Sequence, residues 1–231
     1  HHPFTAPDWA YHFTDDDFNY DTPKSTIPGI KLNYKIIWRA HDNNFWWMEC
    51  SGVKFDTIHD ANEIQYEMKR IAYGVWEYMK NHPDGRAKDY DLDWIGSIPA
   101  KRESTRYVAP YTLTQDDVVS GGHFEDVVAY GGWTLDDHDP NGFMNKGLAS
   151  TEYIVNQGYG IPFDCLYSVN VPNLMFAGRN ISCSHMAFSG TRVMATCALI
   201  GQAVGTAADM ILDKGTTPAG LRANHIRELQ D

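Results

Sequence analysis

Apolar side chains recur at helical spacing in two long segments, the first of which covers residues 61–80. Steps of four and three residues, as on one face of an α-helix, separate its apolar positions. These positions are Ile64, Met68, Ile71, Val75 and Tyr78. Asp60 and Glu63 predict a capping box at the start of this helix, and Asn81-His82-Pro83 predicts its end. We expect the apolar face to belong to the hydrophobic core.

The second helical segment covers about residues 191–213, and Lys214-Gly215 predicts its end. Its apolar positions are again four or three residues apart: Val193, Cys197, Ile200, Val204, Ala208 and Ile211. Four small residues of the helix form a stripe: Ala198, Gly201, Gly205 and Ala208. A glycine inside a helix costs about 1 kcal/mol relative to alanine. This small-residue stripe therefore predicts the close approach of another backbone.

The remaining pattern predicts short extended segments and loops. Extended segments are predicted at residues 33–40, 44–50, 94–99, 107–113 and 171–177. The first two flank a turn-like sequence and predict a hairpin containing three tryptophans, while the apolar run 171–177 predicts a buried parallel strand. A helix is predicted to begin at Thr114. Loops are predicted at residues 1–30, 84–93, 136–142 and 179–190.

The composition is that of a soluble globular protein with an acidic balance. Of 231 residues, 43% are hydrophobic and 21% are charged, and the net charge is −11. The charge argues against binding to nucleic acid or to an anionic membrane, because such binding needs a basic face. The longest stretch without charged residues, Val193 to Ala208, is too short for a bilayer span. We expect no membrane span and no targeting segment, and the compartment is not assigned.

Cysteines, aromatic residues and acidic clusters give weaker indications. The four cysteines, Cys50, Cys165, Cys183 and Cys197, form no C-x-x-C pair, which favours buried free thiols over two disulfides. Aromatic residues make up 13% of the chain, which fits a rich core or a surface that stacks on a sugar, a cofactor or another protein. For the acidic run 15–17, a solvated loop is favoured over a metal site. No metal site is predicted.

A set of motifs in the second half closely resembles the C-terminal flavin-binding segment of a family of FAD-dependent oxidoreductases. The most specific ones are residues 173–182 (including Ala177-Gly178-Arg179-Asn180), His185, residues 189–197 (beginning Ser189-Gly190-Thr191-Arg192-Val193) and residues 201–208. Upstream motifs agree in order: residues 101–106, 111–117, 131–133 and 138–140. The resemblance covers residues 94–212. It implies FAD as the cofactor and hydride transfer between the flavin and a small polar substrate.

The resemblance also implies the fold and the domain organisation. We expect an α+β or α/β protein, in which a mixed-sheet substrate region covers residues 1–165. Residues 166–215 would then form the C-terminal strand, loop and helix of a Rossmann-like FAD domain, and residues 216–231 a tail. In the family, the amino end of this last helix faces the flavin pyrimidine edge, where backbone N–H groups stabilise negative charge.

Roles for individual residues follow from the resemblance. The cofactor-binding residues it implies are Gly178, Arg179, Asn180, Ser189, Gly190, Thr191, Arg192 and Val193. The candidate catalytic residues are His185, His138 and Arg106, and the candidate substrate-binding residues are Arg102 and Trp133. Histidine suits acid–base work because its side chain titrates near neutral pH. For Arg102 and Arg106, salt bridges with Glu103, Asp116 or Asp117 remain an equal alternative.

One departure from the family pattern is as informative as the match. The family holds FAD with an N-terminal strand–GxGxxG–helix unit, and no GxGxxG occurs in this sequence. We therefore expect the C-terminal portion of a larger flavoprotein, with the N-terminal FAD-binding half as its missing partner. We do not expect this portion to hold FAD firmly or to be active alone, and a homo-oligomer is left open.

Two alternatives to a flavoenzyme remain open from the residues. The first is a non-catalytic module that binds carbohydrate or protein through the Trp-rich residues 33–50. The second is a fragment that folds but has no activity. The serine-hydrolase GxSxG, the zinc-protease HExxH and the phosphate-loop GxxxxGK[ST] are all absent from the sequence.

Overall fold

The computed structural model describes residues 2–18, 53–85, 87–103, 105–142, 150–155 and 157–231. They divide into a first unit, His1–Ser104 with His138–Ser150, and a second unit, Thr105–Asp137 with Thr151–Asp231. The predicted hairpin, with Trp38, Trp46 and Trp47, and Cys50 lie outside the described residues. The boundaries predicted at residues 165 and 215 stay predictions.

The first unit is built around one long helix. Helix α1 (Asp15–Phe18) occupies the acidic run, so the loop expected there is wrong, although the three aspartates are exposed to solvent as predicted. Its acidic residues have protein partners: the Asp17 carboxylate accepts from the Thr14 backbone N–H at 2.7 Å, and Asp15 accepts from the Tyr78 hydroxyl at 2.8 Å. Helix α2 (Ala61–Asn81) confirms the long periodic helix.

Helix α2 buries the face that its periodicity indicates, with Ile71, Val75, Trp76 and Met79 nearly inaccessible. The predicted capping box at its start is wrong, because Asp60 makes no side-chain hydrogen bond to the helix amides. The Asp60 carboxylate accepts from the Asp56 backbone N–H at 2.8 Å instead. The helix ends at Asn81, as predicted, where His82 turns into an extended conformation.

The short strand predicted at residues 94–99 is absent from the described part of the first unit. Trp94 is 75% exposed and Ile98 is 84% exposed. In the described residues, no strand lies beside this segment to pair with it, so apolar, β-branched composition alone does not form a strand there.

The second unit combines helices with small sheets. Helix α3 (Gln115–Ser120) begins with a complete capping box between Thr114 and Asp117. Strand β1 (Val127–Gly131) pairs antiparallel with β4 (Tyr159–Pro162), with Ala129 opposite Ile161 and Gly131 opposite Tyr159. Strands β2 (Leu135–His138) and β3 (Ser150–Tyr153) form a second two-stranded sheet. The loop predicted from residue 136 is therefore wrong up to His138, while the α+β class is confirmed.

The apolar run 171–177 is not the buried parallel strand that its composition predicts. The only pairing within the run, among the described residues, is an antiparallel bridge between Met175 and Tyr167. Val171 and Leu174 are each 41% exposed, and Phe176 alone is buried. No parallel strand in the described residues covers the run, and Val171 and Leu174 remain at the surface.

The predicted helix 191–213 is confirmed, although it begins three residues later than predicted, and a further short helix precedes it. Helix α4 (His185–Thr191) lies where a loop was expected, with Ser184 accepting from the Ala187 backbone N–H at 3.2 Å. Val193 is extended, and helix α5 (Met194–Lys214) follows it and ends at Gly215 in the left-handed conformation. Helix α6 (Pro218–Gln230) replaces the predicted tail and begins with a Thr217 cap and a proline in its first turn.

Helix α5 packs as a core helix of the second unit. Its buried residues are Thr196, Ile200, Ala203 and Ala207, and it contacts β1, α6 and the turn at residues 178–180. By length and composition alone it could cross a membrane, but its contacts with β1 and α6 make a membrane span unconvincing. Cys165 and Cys183 are buried free thiols, as expected, and Cys197 is half-buried.

Candidate functional site

Two consecutive aspartates on β2 hold the two ends of α4. The Nε2 atom of His185, the first residue of α4, lies 3.0 Å from Asp137 Oδ1. The Nη2 atom of Arg192, which follows α4, lies 2.9 Å from Asp136 Oδ2. The sequence predicts site roles for His185 and Arg192. It gives no such prediction for Asp136 and Asp137, although these two aspartates immediately precede the candidate His138.

His185 is exposed beside an open pocket. Its side chain is 57% exposed, and it lines an open pocket of about 350 Å³ together with residues at the starts of α3 and α4, among them Gln115, Asp116 and Met186. A carboxylate that is hydrogen-bonded to an imidazole fixes the orientation of the ring. The pocket gives a small molecule access to the same ring.

Arg192 ends α4 rather than beginning the long helix. The sequence analysis placed it at a helix amino end, where a positive charge is unfavourable without an anion beside it. In the structure it follows the carboxyl end of α4, where a cation is favourable. Its side chain and that of Asp136 are both mostly buried, so the pair ties α4 to β2.

Ser189, Gly190 and Thr191 form the buried last turn of α4. The Ser189 hydroxyl donates to the Met186 carbonyl at 2.7 Å. In contrast, the hydroxyls of Thr191 and Tyr159 are buried, and neither has a hydrogen-bond partner among the described residues. A Cβ on Gly190 would lie 3.0 Å from the Tyr159 oxygen. One unpartnered phenol thus packs directly on the segment that the resemblance assigns to the flavin.

Tyr159 is a residue that the sequence analysis missed. A Cβ on Gly131 would clash with its ring, so the glycines of two resemblance motifs, Gly131 and Gly190, both make room for this side chain. Burial raises the pKa of Tyr159, and the hydroxyl is therefore held as a hydrogen-bond donor. The signal in the sequence was the Gly158-Tyr159-Gly160 triplet, which we considered only as an incomplete glycine motif.

Gly178, Arg179 and Asn180 form a 3₁₀ turn that packs on α5. Gly178 has a φ of +83°, a conformation that other residues rarely adopt. The Asn180 carbonyl accepts from the Tyr107 backbone N–H at 3.1 Å, which anchors the turn. With Val193 at the start of α5, all eight candidate cofactor residues lie on the turn, on α4 or on the link to α5.

The remaining candidates lie in two places. In the first unit, His138 Nε2 lies 2.8 Å from Arg102 Nη2. Because a guanidinium only donates, His138 Nε2 is the acceptor in this contact. In the second unit, Arg106 is exposed, and Trp133, just after β1, is 51% exposed. In the described ranges, no group of three or more metal-ligating side chains is present.

Comparison with known proteins gives one match. The family model for FAD dependent oxidoreductase matches residues 2–231, which is nearly the entire chain. No curated protein and no solved structure matches the chain. The match extends well beyond residues 94–212, where the sequence resemblance was recognised.

Proposed function

Since the chain belongs to the family of FAD-dependent oxidoreductases, with FAD as its cofactor, we propose that it carries the flavin-ring end of such an enzyme. The reaction we propose is hydride transfer between a small polar substrate and the flavin. When bound, FAD supplies a two-electron acceptor. The observation that carries the proposal is the pair of unpartnered buried hydroxyls, on Tyr159 and Thr191, at the turn Ser189–Thr191.

These residues fit the ring end of a flavin. The flavin pyrimidine edge is rich in carbonyl and nitrogen acceptors, and two buried donors without protein acceptors are suited to such an edge. Gly190 packs against the buried Tyr159 hydroxyl, because a Cβ at this position would lie 3.0 Å from the phenol oxygen. Arg179, ahead of α4, adds a positive charge, which favours an electron-rich ring, whereas the charge of Arg192 is balanced by Asp136.

In this proposal, His185 moves a proton at the substrate. Asp137 holds its ring by the 3.0 Å contact to Nε2, and the ring borders the open pocket. The roles predicted from the sequence for His138 and Arg106 in catalysis, and for Arg102 and Trp133 in substrate binding, stay predictions. The turn Gly178–Asn180 and Val193 would contact the cofactor through their backbones.

The nucleotide end of FAD needs residues that this sequence lacks, because it contains no GxGxxG unit. We propose that a nucleotide-binding half completes a Rossmann-like domain by docking on the small-residue face of α5, defined as Met194, Ala198, Gly201, Gly205 and Leu212. Helical geometry places these residues on one side. A Cβ added at Gly201 or Gly205 would meet no atom within 4 Å, so another backbone has room to approach. The exposed run 171–177 would supply a strand to the same domain.

A visible absorbance spectrum of the purified chain tests the proposal. It is recorded before and after incubation with FAD and desalting. A colourless chain that gains a flavin band only when the nucleotide-binding half is supplied supports the proposed division. A flavin band retained by the chain alone would show that the ring end suffices and would overturn the need for a partner. No flavin under either condition would overturn the proposed function.

The role of His185 has a separate test. In the complete protein, His185→Ala is expected to slow flavin reduction by substrate by about a hundredfold, the usual size of an acid–base contribution. FAD content should stay the same. His225→Ala is the control, because His225 lies on α6 and pairs with Glu228. Unchanged reduction rates in His185→Ala would remove this residue from the catalytic group.

A further inference from the structure

A cavity in the first unit has four aromatic side chains among its eleven lining residues and includes none of the residues assigned above. Its volume is about 380 Å³, within the range of small-molecule sites. Helix α2 lines it with Tyr73, Trp76 and Lys80, which are three and four residues apart and share one helix face. Phe4 and Trp94 add a ring each from the chain before and after the helix.

Hydrogen bonds and ring contacts hold the walls in place. The Asn81 side chain forms two bonds with the Phe4 backbone, accepting from its N–H at 3.0 Å and donating to its carbonyl at 2.7 Å. The Phe4 ring stacks on Tyr73, with centroids 6.3 Å apart and planes 15° apart. Trp76 is buried, whereas Trp94 is 75% exposed. The cavity therefore has a fixed base and one open aromatic wall.

The charged groups in the lining leave one carboxylate unbalanced. Lys80 is buried, and its ammonium donates to the carbonyls of Lys88 and Tyr90 and to Asp91 Oδ1. All three of its N–H groups are used, and Asp91 balances its charge. Asp93 also lines the cavity, and the described residues give its carboxylate no ion-pair partner. The lining thus presents π-faces, the Asp93 carboxylate and the exposed His2 imidazole, and its one lysine has no donor to spare.

We propose that this cavity binds an organic ammonium ion with an apolar body. Aromatic faces attract cations, tryptophan most strongly, and the Asp93 carboxylate supplies the opposite charge. The described lining holds no Asn, Gln, Ser, Thr or Arg side chain, and apart from Lys80 its side-chain donors are on aromatic rings and on the His2 imidazole. The net charge of −11 on the chain also favours a positively charged ligand. The inference does not depend on the flavin chemistry proposed above.

Choline and its uncharged carbon isostere, 3,3-dimethylbutan-1-ol, provide a matched pair of probes for isothermal titration. We expect the wild-type chain to bind choline at millimolar concentrations and to bind the isostere about tenfold more weakly. Trp94→Ala and Asp93→Asn should each weaken choline binding by about tenfold, the effect of one cation–π or charge contact. The controls are Ile98→Ala and Asp89→Asn, which change exposed residues outside the lining and should bind choline as the wild type does.

Each other outcome overturns the inference. Equal binding of choline and the isostere would show an apolar site without charge recognition. Binding of glucose in place of choline would show a sugar site. No choline binding by a wild-type chain with native circular dichroism, or the same loss in the two control variants, would show that the cavity is not a cation site.

Discussion

The buried hydroxyls of Tyr159 and Thr191 each lack a hydrogen-bond partner among the described residues. A buried polar group without a partner costs about 1–3 kcal/mol. We therefore predict that Tyr159→Phe does not destabilise the cofactor-free chain and raises its free energy of unfolding by up to about 1 kcal/mol. The same variant should bind FAD more weakly once the nucleotide-binding half is present. Urea unfolding and flavin fluorescence measure the two effects.

Tyr167→Phe is the matched control for that prediction. The Tyr167 hydroxyl donates to Asp164 Oδ1 at 2.8 Å, so its removal should lower the free energy of unfolding by about 1 kcal/mol. If Tyr159→Phe is destabilised by as much as Tyr167→Phe, the Tyr159 hydroxyl has a partner in the free protein. It would then not be a donor reserved for a ligand.

Asp126 is a buried carboxylate whose ionisation opposes folding. Burial raises its pKa above 3.8 in the folded chain, although the Asp164 backbone N–H and the Arg222 Nε both donate to Oδ2. The folded state therefore binds the proton of the Asp126 carboxyl group more tightly than the unfolded state does. The stabilisation that the protonated carboxyl group gives the folded state is lost as pH rises above 3.8. We predict that Asp126→Asn gains stability relative to the wild type between pH 4 and pH 7. Parallel urea curves across this range test it, and a constant difference would contradict it.

At the scale of elements, the attachment of α6 depends on one arginine. Arg222 Nε lies 3.1 Å from both Asp126 Oδ2 and Asp164 Oδ2. Removing it leaves two carboxylates, one of them buried, without their counter-charge. We predict that Arg222→Ala lowers the free energy of unfolding by about 2–3 kcal/mol. It should also speed amide hydrogen exchange in α6, where the Arg222 side chain is anchored.

A second arginine on α6 gives the control. Arg227 lies 3.9 Å from Glu125, and both side chains are mostly exposed. An exposed pair at this distance contributes little, so Arg227→Ala should change stability by less than about 0.5 kcal/mol. Equal losses in the two variants would mean that helix propensity, and not the buried ion pair, determines the attachment of α6.

The elements that the sequence predicts well are those fixed by local chemistry. The apolar steps of residues 61–80 and the Thr114–Asp117 box each act within a few residues, and α2 and α3 follow them. The break between α4 and α5 was not predicted, because α4 lies in a segment that the sequence pattern assigns to a loop. The break depends on Val193 being extended and on Asp136 holding Arg192, and Asp136 lies 56 residues away.

The residues of the candidate site also divide into those that local sequence motifs predict and those that depend on the tertiary fold. His185 and the glycines were found from motifs in the sequence. Asp137 is 48 residues from His185, and only the packing of α4 beside β2 brings the two side chains together. Tyr159 was missed because its importance comes from burial without a partner, which no spacing in the sequence reveals. Predicting such residues requires the tertiary fold.

At the scale of the whole molecule, apolar residues that composition predicts to be buried lie exposed. Residues 171–177 have the pattern of a strand covered on both sides, yet Val171 and Leu174 are each 41% exposed. Met194 and Leu212, at the two ends of the small-residue face of α5, are 89% and 82% exposed. Exposed apolar surface of this kind marks an interaction site, which agrees with the proposed docking of a nucleotide-binding half.

We predict that the chain alone binds an apolar fluorescent dye, and that Met194→Gln with Leu212→Gln reduces the dye signal. Both side chains are at the surface, so unfolding in urea should change by no more than about 0.5 kcal/mol. Val119→Gln is the control, because Val119 is 55% exposed on α3, away from the small-residue face of α5. Light scattering on the same samples reports whether a second copy covers this face. A monomer that binds no dye would contradict an open docking face, because apolar surface left in water binds such dyes.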